Sequence, residues 1–338
     1  MNKRLNNIFF VFGLLAVVIM ALTLDFSLEE MFAQLRRAGW WLLLLLSMWI
    51  VLYLLNTVSF RIIIRGSGNC SISFIELMKI TVTGFSLNYA TPAGLMGGEP
   101  YKILELKNYI GLERASSSVL LFAMMHVFSH FWYWLTAVVL YLLFLPVSVV
   151  MAYILALITV FCVAGIMVFI RGYKGGFVSG LVFRLARVPL LRRWLSRWCV
   201  RHRHQLEKID GQIAALHGQE RRSFYSSLLM EYFGRVLQSF EIFFILVLCA
   251  GFEPSVFLFI KSLIILAFTS LLANILFFLP LQLGGREAGF TIFIASVGMT
   301  VQTSLVVALL CRVRELFWTL LGLLLIKVRL PEHLRRAV

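Results

Sequence analysis

Long apolar runs alternate with short charged links along almost the whole chain. The first run, Ile8–Leu24, follows Lys3 and Arg4. The residues closing it, Thr23-Leu24-Asp25-Phe26, lack a small-x-small cleavage pattern, so the run reads as an uncleaved first span with its N-terminus inside. The link Asp25–Arg37 reads as an amphipathic segment on the outer face. A second span, Trp40–Phe60, closes on Arg61 and Arg65, a cytoplasmic signature. The stretch Phe74–Met96 is interrupted by Asn88, Pro92 and two glycines, and a mixed-charge helix is predicted over Tyr101–Arg114. Apolar runs follow at Ser117–Leu145 and Val147–Ile170, with Pro146 marking the turn. The remaining runs are Phe224–Ala250, Val256–Leu279 and Thr303–Lys327, and a second interrupted stretch, Asn274–Gly298, lies between the last two. A span needs about 20 apolar residues. The pattern therefore predicts an all-α polytopic membrane protein of seven to eight transmembrane helices. Two segments, 74–114 and 274–298, are read as broken or re-entrant.

Composition agrees. Hydrophobic residues make up 61% of the 338 positions and charged residues 14%, against roughly 45–50% and 25% in a soluble domain. That excess needs lipid as solvent and excludes a cytosolic enzyme or a secreted domain. Lys and Arg total 31 against 16 Asp and Glu, a net charge of +15. In a soluble chain this would suggest nucleic acid. At a mean hydropathy of +0.91 the basic residues read instead as cytoplasmic anchors. Twelve of them, against three acids, fall in Arg171–Arg222, which is expected to be the main cytoplasmic loop. Within it Leu191, Trp194, Leu195 and Trp198 keep a helical rhythm beside Arg192, Arg193, Arg197, Arg201 and Arg203, as in a helix lying on an anionic inner leaflet. The chain thus divides into a membrane half 1–170, a basic loop 171–222 and a membrane half 223–338. Lys327, Arg329, Arg335 and Arg336 place the C-terminus inside. Five scattered cysteines without a CxxC pair argue against a disulfide framework or a zinc site.

The two interrupted stretches match each other. One reads Asn88, Pro92, Gly97-Gly98-Glu99, and the other Asn274, Pro280, Gly284-Gly285-Arg286-Glu287. The order of residues is the same, although Asn and Pro stand four apart in one and six in the other. Helix breakers at membrane depth free backbone polar groups, which is tolerable only where they are buried in protein or line a cavity. Paired breaks, one per half, point to an internal two-fold repeat with a binding site at its interface. Arg312, Arg314 and Glu315 lie near the middle of the final run. Each charge there costs roughly 2.5–3.5 kcal/mol to insert, so these side chains are expected to face protein or water. Glu231 and Arg235, at i and i+4, are expected to pair on one helix face, with Glu241 further along. If Gly284-Gly285 opens a helix, Glu287 falls in its first turn, where a carboxylate is favoured. The freed N–H groups there, with Arg286, would alternatively suit a phosphate.

At these residues the chain resembles the lysylphosphatidylglycerol synthase transmembrane-domain family, also described as flippase-like membrane proteins. The resemblance rests on Asn88, Pro92, Gly97-Gly98-Glu99-Pro100-Tyr101-Lys102, Gly111 and Ala115–Val119. In the second half it rests on Leu279-Pro280, Gly284-Gly285-Arg286-Glu287-Ala288, Gly298 and Arg312. It runs from the first span to the last. It implies a bacterial inner-membrane lipid protein, with family members tied to aminoacylated phospholipid, hopanoid or polyprenyl-linked glycolipid. Gln282 stands where many relatives carry proline, and Met125-His126 where an acidic–basic pair is common, so substrate identity does not carry over. The chain ends at Val338 without a soluble aminoacyl-transferring domain, so synthesis of lysyl-lipid is not implied.

The leading expectation is a lipid transporter or flippase-like protein that takes an anionic phospholipid or glycolipid headgroup into a polar intramembrane cavity. Asn88, Pro92, Gly97, Gly98, Glu99, Lys102, Asn274, Pro280, Gly284, Gly285, Arg286, Glu287, Arg312, Arg314 and Glu315 are the expected substrate-binding set. Arg286, Arg312 and Arg314 would hold phosphate, while Glu99 and Glu287 would position these cations or take a proton. No catalytic residue, cofactor or metal is expected: His126 and His130 share a helix face without an HExxH pattern, and no P-loop is present. Asp25 and Glu29 resemble the acidic loop residues of membrane glycosyltransferases, on a link too short for a sugar donor and metal. Two other readings stay open. One is a membrane-embedded lipid transferase using Glu99, Glu287 or His126 as base. The other is an accessory subunit that binds a lipid-synthesis enzyme through the basic loop.

Overall fold

The computed structural model describes residues 38–90, 97–175, 221–276 and 284–328, with isolated positions 36, 211, 330, 331 and 334. The expected first span, the outer link, the loop helix at 191–198, Pro92, Pro280 and Gln282 lie outside these residues. Within them every regular element is helical. The order is α1 (Trp41–Gly66), α2 (Phe74–Ala90), α3 (Gly98–Ile110), α4 (Leu112–Phe144), α5 (Val149–Gly175), α6 (Arg221–Leu248), α7 (Val256–Ile275), α8 (Gly285–Ser296) and α9 (Val301–Leu325). The chain is a polytopic helical membrane protein. Four helices, α1, α4, α5 and α7, are long and apolar enough to cross a bilayer.

Where the predicted boundaries move, a glycine or a cap decides. The mixed-charge helix expected over Tyr101–Arg114 is two helices, because Gly111 adopts φ 79°. Its N–H closes α3 on the Lys107 carbonyl, and its own carbonyl receives the Ala115 N–H to open α4. A left-handed residue at that point costs glycine little. The Ser255 and Thr300 hydroxyls cap α7 and α9 by accepting the Leu258 and Thr303 N–H groups. Gly284, at φ 76°, precedes α8, which places Glu287 in its first turn.

One sequence of elements occurs twice: a long helix, a helix leading into a break, a short helix, a long helix. It runs through α1–α4 and again through α6–α9, with α5 between. The cross-contacts are reciprocal, since α2 of the first set packs on α9 and α7 of the second set packs on α4, while α1 and α6 pack on each other. On the first of these contacts Thr83 and Ser86 donate to the Gly322 and Trp318 carbonyls, 3.1 Å each. On the second the Trp134 indole N–H donates to Ser270 at 2.9 Å. Gly322 permits the α2–α9 approach, because a Cβ there would overlap the Ser86 hydroxyl. Helices pack in lipid through such small residues and interhelical hydrogen bonds rather than through a hydrophobic drive.

α1 and α6 run antiparallel. Ser59 meets Ser227 at 2.8 Å. Trp49, earlier on α1, lies beneath the Arg314 guanidinium that Glu241, later on α6, holds. α5 packs on α4 and leaves a stripe of Val149, Tyr153, Leu157 and Val160 exposed. In water that stripe would be an aggregation surface, whereas in a bilayer it is the lipid face.

Candidate functional site

A cavity of about 230 Å³ opens between the two sets of helices. α1 lines it with Trp49, Tyr53 and Asn56, α2 with Phe85, Asn88 and Tyr89, and α3 with Glu99 and Lys102. α4 adds Phe122, His126, His130 and Tyr133; α6 adds Glu231 and Arg235; α7 and α8 add Ser270, Asn274 and Arg286. Aromatic rings form the walls and charged groups the polar points, the usual make-up of a small-molecule site.

The first break is tied together by Asn88. Its side-chain oxygen accepts the Gly98 N–H at 2.8 Å, and its amide donates to Glu99 at 3.0 Å. One side chain thus caps the start of α3 from the end of α2 and fixes the carboxylate beside it. Gly98 makes this possible, because a Cβ there would collide with the Gly84 carbonyl. A Cβ on Gly84 would in turn collide with the Lys102 stem. Lys102 is buried, lies 3.4 Å from Glu99, and sits over the Phe85 and Phe122 rings at 4.8 and 5.2 Å. The second break is built differently. Asn274 donates to its own helix, at the Ser270 carbonyl, and faces the cavity.

Behind Arg286 lies a buried ion network. Arg286 pairs with Glu315. Arg312 bridges Glu287 at 2.7 Å and Glu315 at 2.9 Å. Arg314 grips Glu241 with two bonds, 2.7 and 3.1 Å, and its guanidinium stacks 3.9 Å from the Trp49 ring centre. Three guanidinium groups thus face three carboxylates. Such balance is required at this depth, since an unpaired charge there costs several kcal/mol.

The structure therefore divides the predicted set. Asn88, Glu99, Lys102, Asn274 and Arg286 line the cavity. Gly97 and Gly98 open α3, and Gly284 and Gly285 open α8. Glu287, Arg312, Arg314 and Glu315 belong to the network rather than the lining. Pro92 and Pro280 lie outside the described residues.

Three lining residues stand in roles the sequence reading missed. Glu231 does not pair with Arg235: its carboxylate meets His126 Nδ1 on α4 at 2.8 Å. Arg235 donates from Nε to Ser129 at 2.7 Å and from Nη2 to the His126 carbonyl at 2.6 Å. Among the described residues no carboxylate comes within ion-pair distance of Arg235, although it is 7% exposed. Spacing along α6 favoured the local partner, and the face of α4 opposite it supplied a better one. The available signal was a pair of histidines and a pair of charges, each at i, i+4, on two apolar runs.

The family model described as the lysylphosphatidylglycerol synthase TM region matches residues 8–322, nearly the whole chain. No curated protein and no solved structure matches it.

Proposed function

The chain belongs to the lysylphosphatidylglycerol synthase transmembrane family, and from that membership and the cavity we propose that it is a flippase-like lipid transporter of a bacterial inner membrane. An anionic phospholipid or polyprenyl-linked glycolipid enters headgroup first, and its tails stay in the bilayer. The carrying observation is that both broken segments contribute side chains to one charged, aromatic-walled cavity.

Arg235 is the phosphate anchor. Its Nε and Nη2 are committed to Ser129 and the His126 carbonyl, which aims the guanidinium without neutralising it. A phosphate supplies a counter-charge in direct contact, which Glu231 offers only from beyond ion-pair distance, in the geometry that suits Arg. Lys102 and Arg286 add positive potential from the two breaks, each tempered by its own glutamate. Arg312 and Arg314 act one layer back by holding Glu315, Glu287 and Glu241 in place.

The reciprocal contacts support reading α1–α4 and α6–α9 as an inverted repeat. The antiparallel crossing of α1 and α6 is what a two-fold axis in the membrane plane would produce. On this reading α3 and α8, 13 and 12 residues long, are re-entrant, because at about 1.5 Å per residue each spans only some 20 Å of a ~30 Å core.

Native mass spectrometry of the purified chain tests the proposal. Wild type should retain an anionic lipid that Arg235→Gln releases, while Arg235→Lys keeps part of it. Retention of bulk lipids alone, unchanged by either substitution, would sink the proposal.

A further inference from the structure

Two glutamates on α6 hold neighbouring helices by different means. Glu241 pairs with Arg314 on α9, and guanidinium keeps its proton throughout the physiological range. Glu231 pairs with His126 on α4, and imidazole is the side chain whose proton comes and goes between about pH 5 and 8. The first clamp is permanent and the second can change state. The second is also the one in the cavity.

The pair is not fully satisfied. Glu231 is buried, with its side chain 2% exposed, and its Oε1 has no hydrogen-bond partner. His130, one turn along α4, lines the same cavity, and its buried Nδ1 is also without a partner. Its ring lies 5.6 Å from that of His126. An open acceptor atom beside an imidazole, on residues that line one cavity, is a place where a proton can enter and leave.

We propose that His126 and Glu231 form a proton-exchange site coupled to occupancy of the headgroup cavity. The inference rests on the reading of that cavity as a headgroup site. One proton added to neutral imidazole beside carboxylate gives an imidazolium–carboxylate pair. A second gives imidazolium beside carboxylic acid, so the pair can hold none, one or two exchangeable protons. The other charged or titratable groups facing the pair are Arg235 on α6, Lys102 and Glu99 on α3, His130 and Tyr133 on α4, and Arg286 on α8; Tyr53 and Tyr89 reach the cavity from α1 and α2. Cations among these disfavour a further proton. An anionic headgroup seated on Arg235 and Lys102 offsets them, so its arrival draws a proton in. By linkage, proton binding must then tighten the headgroup.

The test is calorimetric titration of the full chain in detergent with dihexanoyl phosphatidylglycerol, from pH 5.5 to 8. It is run in two buffers that differ in heat of ionisation. Wild type should take up protons on binding, and affinity should fall as pH rises, by at most tenfold per unit for one proton. Glu231→Gln should bind without proton uptake, and His126→Gln should move the uptake to another pH. Glu253→Gln, in the exposed α6–α7 link, should behave as wild type. Equal heats in both buffers at every pH would overturn the proton site and leave the headgroup reading standing. Uptake persisting in both Glu231→Gln and His126→Gln would also overturn it. No binding by folded wild type in either buffer would remove the headgroup reading, and this inference with it.

Discussion

Arg314 on α9 and Glu241 on α6 form a two-pronged ion pair in which neither side chain is more than 2% exposed. Trp49 of α1 covers the guanidinium face, so one contact joins three helices. Removing one partner strands the other as a buried charge, which costs about 3–5 kcal/mol. Glu241→Gln should therefore lower the thermal unfolding midpoint sharply. The double change Glu241→Gln with Arg314→Met should recover much of the loss. Equal destabilisation by the single and double variants would show that the pair is not what matters there.

Asn88 ties the end of α2 to the start of α3 through Gly98 and Glu99. Asn88→Ala takes the side-chain acceptor from the Gly98 N–H, a loss of about 1 kcal/mol, and leaves Glu99 with Lys102 alone of the two partners. Asn88→Asp keeps the oxygen for Gly98 but sets a second carboxylate against Glu99. Asp should therefore be no better than Ala in headgroup retention by native mass spectrometry, although it is the nearer in shape.

Gly98 and Gly322 are close-approach positions. A methyl group at Gly98 meets the Gly84 backbone carbonyl, and one at Gly322 meets the Ser86 hydroxyl and Cβ with the Val82 carbonyl close behind, so neither contact can swing away. Overpacking typically costs 1–3 kcal/mol. Gly98→Ala and Gly322→Ala should both fall toward the upper end of about that range, as read from denaturation midpoints in one detergent. A near-neutral Gly322→Ala would show that α2 and α9 can move apart at this contact.

Arg235 is predicted to matter for headgroup binding rather than for folding. A hydrogen bond to a charged group contributes about 1.5–3 kcal/mol, so Arg235→Gln should weaken phosphatidylglycerol binding about tenfold or more. Its unfolding midpoint should change less than that of Glu241→Gln. Calorimetry and unfolding on the same samples separate the two effects.

Leu157 tests the outward face of α5, where it is 71% exposed. A photo-reactive side chain at Leu157 should cross-link to acyl chains in proteoliposomes, and one at buried Leu155 should not. Equal labelling at both positions would mean that the α4–α5 contact opens in the membrane.

Much of the helix plan was legible from the chain. The runs behind α1, α4, α5, α6, α7 and α9 coincide with helices to within a few residues at most ends. Both Gly-Gly pairs stand at helix starts. These features are local: a run long enough to span, a residue that breaks it and a residue that caps it act over a few positions. The split at Gly111 was missed because the charge pattern continues through it, and only its positive φ shows that the axis turns.

The partners of the buried charges were not legible. Glu231 and Arg235 stand at pairing distance along one helix, yet each bonds to α4. Arg312, Arg314 and Glu315 are neighbours in sequence but divide among α6, α8 and one another. By itself the sequence determined that the chain lives in lipid, where it forms helices and where those helices break, since hydropathy and backbone preference belong to each segment. The tertiary structure decided which guanidinium groups are paired with carboxylates, which one is held by neutral oxygens and which carboxylate faces an imidazole. Those choices depend on which helix faces oppose each other, and ion pairing at membrane depth follows the nearest countercharge in space rather than in sequence.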